Sequence, residues 1–256
     1  DELNTEPTDK VSGSTIFADA SSAETAINGV YRMLYVAGWS SNWGSENCGQ
    51  TAIQLLGDLM AEDHLMKEQG QGWFYDDYRL NVHGDYSNKA GRPYSIWNFY
   101  YTIVSNVNYI IASENTMGGD PELKNSVVGQ AYAMRAFAYY YLIQLYQQTY
   151  KGHEDAPGVP LYTGATVAGS EGSPRGTVQG VYTQINSDIE KAIDLLGSIS
   201  NKVQTHVSHI DYYVANGIKA RICLTQHDYA GAATAAAEAL KKPSLKVATI
   251  AELGGN

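Results

Sequence analysis

The chain has 256 residues, enough to bury a sizeable core in one domain or two closely packed domains. Its formal net charge is −10 and its lysines and arginines form no cluster, so it would repel a phosphate backbone and nucleic acid is not expected as a partner. Charged residues are only 17% of the sequence while tyrosines number 20, which predicts a polar, aromatic surface, and no apolar run approaches the ~18 residues of a membrane span.

A polar segment over residues 1–20 opens the chain, and its first ten residues, DELNTEPTDK, show no basic or hydrophobic signal region. Ser21-Ser22-Ala23-Glu24 then fits the Ser-x-x-Glu capping pattern, and the helically spaced apolar residues after it predict a first helix from about Ser22 to Val36. The run GWSSNWGSENCG over residues 38–49 has the composition of a turn yet contains two tryptophans. We therefore expect an aromatic loop there.

A second helix is predicted over about Thr51–Leu59, and an irregular span follows over residues 69–92. Its aromatic residues stand among glycines and polar residues, which is typical of a surface segment or a short hairpin. These aromatics are Trp73, Phe74, Tyr75, Tyr78 and Tyr86. Aromatic loops are thus a recurrent feature of the sequence.

From Tyr94 the apolar residues recur at helical spacing, and the break at residues 117–121 separates this helix from a return helix. The return helix contains GQAYAMRAFAYYYLIQLY over residues 129–146, which is apolar nearly all round. It should be buried, with its tyrosine hydroxyls reaching polar partners at the edges. Arg135 then requires an acidic residue or helix-end carbonyls from a neighbouring helix.

Residues 153–174 form a loop rich in glycine and proline, after which Thr177 can cap an amphipathic helix that ends near Leu196. Further helices are predicted over residues 211–226 and 229–241. The second of these matches the Asp-Tyr-x-x-Ala pattern of a tetratricopeptide repeat. The sequence therefore predicts an all-α fold, an α-solenoid of irregular tetratricopeptide-like helical hairpins decorated by long loops.

Residues suited to metal binding or catalysis lack the spacing that those chemistries need. Cys48 and Cys223 form no CxxC pattern and are expected as buried free thiols, and His206-x2-His209 has no Glu-x-x-His partner. The paired acids at residues 62–63, 76–77 and 154–155 point in different directions, which favours solvated loop charges over a glycosidase pair. No cofactor, no metal and no catalytic residue is predicted.

A series of short motifs occurs in order along the chain. They are Trp97-x3-Tyr101-x6-Asn108, Gly129-x-Ala131, Met134-Arg135-Ala136, Tyr139-Tyr-Tyr-Leu142, Gly158-Val-Pro-Leu161, Pro174-Arg175, Val181-Tyr182-x2-Ile185-x2-Asp188-Ile189-Glu190-x-Ala192, Ala220-Arg221 and Asp228-Tyr229-x-x-Ala232. Taken together, these motifs resemble the SusD/RagB family of surface glycan-binding outer-membrane lipoproteins from Bacteroidetes. Order and spacing agree over roughly Leu3 to Leu240, and the motifs are specific jointly although each is weak alone.

The resemblance implies a non-enzymatic, surface-exposed lipoprotein that lids a TonB-dependent, SusC-like transporter and captures glycans for import. Leu3-Asn4-Thr5-Glu6-Pro7 looks like the segment that follows the lipidated cysteine in this family, and that cysteine would precede this chain. Residues 1–256 would then be the tetratricopeptide-like N-terminal region. The second, less repetitive half of the family fold would be missing, along with any ligand residues that it supplies.

Carbohydrate sites pair exposed aromatic rings with planar polar side chains, because sugars present both C–H faces and hydroxyls. Two loops carry such a combination, and the resemblance places a glycan-contacting loop at the first. The alternative is that these aromatics cover the helical layer or pack against the missing half. The candidates are Trp73, Tyr75, Asp77, Tyr78 and Arg79 in the first loop, and Trp39, Asn42 and Trp43 in the second.

Two other functions remain open on the same scaffold. Tetratricopeptide-like concave surfaces bind peptides, so the protein could be a peptide-binding lid instead. A helical glycosidase is the remaining alternative, although the sequence contains no Gly-x-Ser-x-Gly, Gly-Lys-Ser/Thr or Gly-x-Gly-x-x-Gly motif. Neither the sugar nor the transporter partner can be identified from these residues.

Overall fold

The computed structural model describes residues 17–36, 48–61, 64–81, 91–167, 169–204, 206–243, 245–246 and 248–253. Helices dominate this part of the chain, which confirms the predicted all-α class and the helical-hairpin arrangement. A single two-stranded sheet accompanies the helices of the described residues. The elements are α1 Ala20–Met33, α2 Gly49–Met60, α3 Tyr75–Tyr78, α4 Gly91–Ala112, α5 Pro121–Tyr146, β1 Pro157–Pro160, β2 Arg175–Thr177, α6 Val178–Gly197, α7 Tyr212–Thr225, α8 Tyr229–Ala239 and α9 Ile250–Leu253.

The first helix starts earlier than its capping pattern predicts. Asp19, not a serine, is the N-cap residue, and its carboxylate accepts a hydrogen bond from the backbone N–H of Ser21 at 2.9 Å. The Ala20 N–H also donates to the Gly118 carbonyl at 3.1 Å, and this bond fixes the backbone at the start of the helix. Asp19 is therefore held in the N-cap position. The buried side of α1, including Ala23 and Ile27, then packs against α4 and α5.

Helices α4 and α5 form the predicted hairpin, and α5 lies in the centre of the described structure between α4 and α6. Asp120 caps α5 by accepting from the Leu123 N–H at 3.1 Å, and Pro121 occupies the first turn, where its missing N–H costs nothing. Gly129 lets α5 and α6 approach closely, since a Cβ at this position would lie 2.8 Å from Leu196 Cγ.

The tyrosines of α5 belong to the core, as the periodicity predicts. Tyr139 is fully buried, and its hydroxyl accepts from the Tyr162 N–H at 2.6 Å. Tyr140 is also buried, and its hydroxyl lies 2.9 Å from Thr225 Oγ1 on α7. Burial raises the pKa of Tyr139, so the ring stays neutral and serves as a hydrogen-bonding core residue.

The segment between α5 and α6 pairs β1 with β2 in antiparallel register, with Pro157 opposite Thr177 and Pro160 opposite Arg175. β2 leads directly into α6, whose predicted cap is confirmed because Thr177 Oγ1 accepts from the Gly180 N–H at 3.0 Å. The short sheet thus holds the 161–174 segment across the α4–α5 hairpin.

Helices α7 and α8 form the hairpin that matches the tetratricopeptide pattern. Asp228 caps α8 by accepting from the Gly231 N–H at 2.9 Å, and Ala235 is buried against α7. No disulfide joins Cys48 and Cys223; Cys223 is buried as predicted, whereas Cys48 is only half-buried. Each helix from α4 to α8 packs chiefly on its neighbour in the chain, which is the arrangement of a solenoid.

Candidate functional site

The loop before α4 is fixed by a buried ion pair. Arg92, in the first turn of α4, donates from Nε and Nη2 to the two carboxylate oxygens of Asp77 at 3.0 and 2.8 Å. Each of the two side chains is 3% exposed, and the guanidinium also lies 5.6 Å from the centre of the Phe74 ring. A two-bond arginine–carboxylate contact sets orientation as well as distance. The loop is therefore held to α4 at Asp77.

A backbone turn at Phe74 separates a buried ring from an exposed one. Phe74 has a φ of 55°, in the left-handed region that non-glycine residues rarely occupy. Its ring is 9% exposed and belongs to the hydrophobic core, whereas Trp73 is 57% exposed. The turn that buries Phe74 therefore presents the indole of Trp73 to solvent.

Three other predicted residues of this loop also reach the surface. Tyr75 and Tyr78 on α3 are half-buried and Arg79 is exposed, with its guanidinium 5.6 Å from the centre of the Tyr75 ring. Aromatic and planar cationic groups thus lie side by side, and their role as ligand contacts stays a prediction. Asp77 requires a correction, because its carboxylate is bonded to Arg92 inside the protein and is not presented to a ligand.

The second predicted group, Trp39, Asn42 and Trp43, lies outside the described residues. The same holds for Tyr86 of the first aromatic span.

A second candidate site, which the sequence reasoning missed, is a groove of about 300 Å³ along α4. We call it the α4 groove. The α4 residues recur at i, i+4, i+8 and i+11, so that they share one face of the helix. The opposite wall comes from the segment that follows β1. Its lining includes Trp97, Tyr101, Ser105 and Asn108 from α4, and Tyr162 and Thr166 from that segment.

The aromatic walls of the α4 groove are held by ring packing and by hydrogen bonds to backbone carbonyls. Trp97 packs on Tyr101 with ring centres 4.7 Å apart, and the Tyr101 hydroxyl donates to the Pro160 carbonyl at 2.8 Å. On the other wall, Tyr162 lies edge-on to Tyr101 at 5.8 Å. The sequence signal for this groove is the Trp97-x3-Tyr101 pair, whose helical spacing alone indicates packing in the core rather than a ligand site.

Beneath the groove lies the buried ion pair that α5 requires. Arg135 donates from Nε and Nη2 to Asp188 on α6 at 2.8 and 2.6 Å, and from Nη1 to Asn108 Oδ1 at 2.8 Å and to the Thr163 carbonyl at 3.0 Å. Asn108 in turn donates to the Tyr162 carbonyl at 2.8 Å. The prediction of an acidic partner on a neighbouring helix is confirmed, and the same network positions both groove walls.

The loop is attached to the first turn of α4, whereas the groove runs along a different side of the same helix. Arg92, which holds the loop, and Trp97, which lines the groove, are five residues apart, which corresponds to about 140° around the helix axis. The two aromatic groups therefore offer separate contacts rather than one continuous surface.

Other candidate chemistry is sparse in the described part of the chain. His206 and His209 have ring centres 5.0 Å apart, but no three-residue group of histidine, cysteine, aspartate or glutamate that could hold a metal occurs among the described residues. Burial and the neighbouring His206 lower the pKa of His209. None of the described helices is both long enough and apolar enough to cross a membrane.

Comparison with known families and structures gives a consistent result. A family model of SusD-like proteins, described as starch-binding and associating with the outer membrane, matches residues 16–224. The chain is 25% identical over 174 residues to the SusD-like protein P38 of Formosa agariphila, covering 62% of this chain and 31% of that protein.

Solved structures agree with this match. A SusD-like carbohydrate-binding protein of Bacteroides vulgatus superposes with a TM-score of 0.73 at 24% identity, over 90% of this chain and 46% of that one. A SusD superfamily protein of Bacteroides fragilis gives a TM-score of 0.68 at 26% identity, over 88% of this chain and 50% of that one. The chain thus spans about half the length of these structures.

Proposed function

Because the chain belongs to the SusD-like family of starch-binding proteins that associate with the outer membrane, we propose that it is a non-catalytic glycan-binding protein of the cell surface. It captures oligo- or polysaccharide for import through a partner TonB-dependent transporter. A lipid on a cysteine that precedes this chain holds the protein to the outer membrane. The chain corresponds to the tetratricopeptide-like N-terminal region of a longer fold. The transporter, the lipid and the longer fold rest on the family resemblance alone.

The observation that carries the glycan-binding proposal is the exposure of Trp73 on a loop held by the buried Asp77–Arg92 pair. The indole of Trp73 is 57% exposed, so its ring is accessible to a ligand from solvent. An indole face packs well against the C–H face of a sugar, and Arg79, which lies beside the Tyr75 ring of the same loop, can donate to sugar hydroxyls. Because the loop is already fixed, binding would cost little ordering entropy.

The loop carboxylates support a binding role rather than hydrolysis. Glycosidases require two available carboxyl groups about 5–10 Å apart. In this loop the Asp77 carboxylate is bonded to Arg92. Of the two neighbouring acids Asp76 and Asp77, Asp76 is therefore the exposed one. Incubation of the purified protein with neutral polysaccharides should release no oligosaccharide, and product release would refute the non-catalytic assignment.

Affinity electrophoresis of the purified chain in gels containing starch, laminarin, xylan or pectin tests the proposal. At least one of these polysaccharides should retard the wild type, and Trp73→Ala should weaken binding by roughly 2- to 13-fold, the equivalent of an aromatic contact of about 0.5–1.5 kcal/mol. Tyr229→Ala is the matched control, since this ring is 63% exposed at the opposite end of the solenoid.

Two outcomes would contradict the proposal. Migration unaffected by every polysaccharide of a broad panel would reject glycan binding by this chain. Oligopeptides that copurify with the protein and are identified by mass spectrometry would favour the peptide-binding lid on the same scaffold.

A further inference from the structure

The α4 groove contains hydrogen-bond donors that the fold leaves unused. Among the described residues, neither the indole N–H of Trp97 nor the hydroxyl of Ser105 has a hydrogen-bond partner. By contrast, Asn108 beside them is 1% exposed and bonded on both sides of its amide. Polar groups at the edge of an apolar cavity are satisfied by water or by a ligand. Trp97 and Ser105 both line the groove, so their two donors are available there to water or to a ligand.

The shape of the groove is set before any ligand arrives. The Tyr162 hydroxyl accepts from the Ser173 N–H at 3.0 Å, and the Tyr109 hydroxyl donates to the Thr166 carbonyl at 2.7 Å. The Tyr109–Thr166 and Tyr101–Pro160 bonds tie the loop wall to α4, and the Tyr162–Ser173 bond holds that wall together internally. A site whose walls are already positioned loses little conformational entropy on binding.

The lining restricts the chemistry of the ligand. No formally charged side chain lines the groove, and three of its lining residues, Trp97, Tyr101 and Tyr162, are aromatic. An acidic or basic ligand would lose its hydration there without gaining a counter-charge. A neutral molecule with apolar faces and several hydroxyls fits both the rings and the unused donors. At about 300 Å³ the groove lies at the small end of ligand sites, which suits one or two sugar rings.

We propose that the α4 groove is a subsite for a neutral sugar unit, separate from the Trp73 loop. The aromatic rings contact the C–H faces of the sugar, and Trp97 and Ser105 donate hydrogen bonds to its oxygens. This inference rests on the proposed glycan-binding function and specifies it further: the preferred glycans are neutral, and an oligosaccharide with uronic acid or sulfate groups is disfavoured at this subsite.

The test blocks the groove from each wall separately. Ser105→Arg fills it from α4 and Thr166→Arg fills it from the loop wall. Each has a matched control that adds the same charge one residue further along the chain: Asn106→Arg and Val167→Arg, at positions that are exposed and do not line the groove. Calorimetry first ranks maltohexaose, laminarihexaose, xylohexaose and hexagalacturonate on the wild type. The tightest neutral hexasaccharide is then titrated into all four variants.

We expect a neutral hexasaccharide to bind the wild type more tightly than hexagalacturonate does. Both groove-filling variants should lower the affinity for that neutral hexasaccharide about tenfold or more, and both control variants should stay within about twofold of the wild type. Thermal unfolding of each variant verifies that the chain is folded, and the loop variant provides the test if the helix variant is unstable. Glycan binding that is unchanged by Ser105→Arg and Thr166→Arg but weakened by Trp73→Ala overturns the subsite alone. Absence of binding to all four oligosaccharides overturns both proposals.

Discussion

Removing Arg135 is the substitution that most directly tests how the scaffold is held together. Its side chain is 4% exposed and its four hydrogen bonds join α5 to α6, to α4 and to the loop wall of the groove. Arg135→Met keeps much of the apolar stem but leaves the Asp188 carboxylate buried, with the Gln184 amide at 2.9 Å as its remaining side-chain hydrogen-bond donor among the described residues. The variant therefore creates an uncompensated buried carboxylate and two unpaired acceptors.

The expected cost follows from that burial. Breaking a buried ion pair by removing one partner typically costs about 3–5 kcal/mol. Burial already raises the pKa of Asp188, so its carboxyl can take up a proton in the variant, which limits the loss to that range. For a chain of this size the melting temperature should fall by about 6–20 °C. The double variant Arg135→Met/Asp188→Asn should lose less than the sum of the two single variants, by about 1–3 kcal/mol, because neither charge is left alone.

Urea unfolding followed by circular dichroism measures all three variants against the wild type. Lys151→Met is the control, since Lys151 and Glu154 are 4.0 Å apart on the surface and such a pair contributes about 0–1 kcal/mol. The reasoning is refuted if Arg135→Met unfolds within about 1 kcal/mol of the wild type. It is also refuted if the effects of the two single substitutions simply add.

Two further predictions concern packing and pH. Gly129→Ala should be less stable than Gly29→Ala by about 1–3 kcal/mol in the same unfolding assay. Both variants gain helix propensity, but only the first places a Cβ against Leu196. Equal stabilities of the two variants would contradict the close α5–α6 contact. Since folding lowers the pKa of His209 below its ordinary value of 6.5, the folded state takes up this proton less readily, and stability present above pH 6.5 is lost as the pH falls. His209→Gln should lose less stability than the wild type between pH 7.5 and 5.5, and equal losses would assign the acid sensitivity elsewhere.

The regular helices, and the burial of Arg135 within one of them, could be predicted because both follow from the local periodicity of the sequence. The apolar spacing around Tyr139 identifies a buried helix, and a buried Arg135 requires an anionic or carbonyl partner wherever that partner stands in the sequence. The identity of that partner could not be predicted. Asp188 lies 53 residues away, and only the packing of α6 on α5 brings it within 2.6 Å.

The irregular segments were harder to interpret because no period constrains them. Asp77 stands beside Asp76 in a polar loop, so sequence alone treats both as solvated, whereas the structure buries one against Arg92 and exposes the other. The α4 groove was missed for the opposite reason. Trp97 and Tyr101 continue a helical stripe, and a stripe does not reveal whether its neighbour covers it fully or leaves a cavity.

The Asp77–Arg92 pair also explains why an aromatic loop can serve as a binding surface at all. Loops rich in glycine normally lose entropy when they hold a ligand, which weakens binding. Here the loop is bonded to the first turn of α4, and the left-handed turn at Phe74 places one ring in the core while its neighbour Trp73 stays in solvent. The Asp77 carboxylate, which the sequence analysis assigned to the ligand, thus holds the loop to α4 instead, and the exposed indole of Trp73 is presented from a loop that is already anchored.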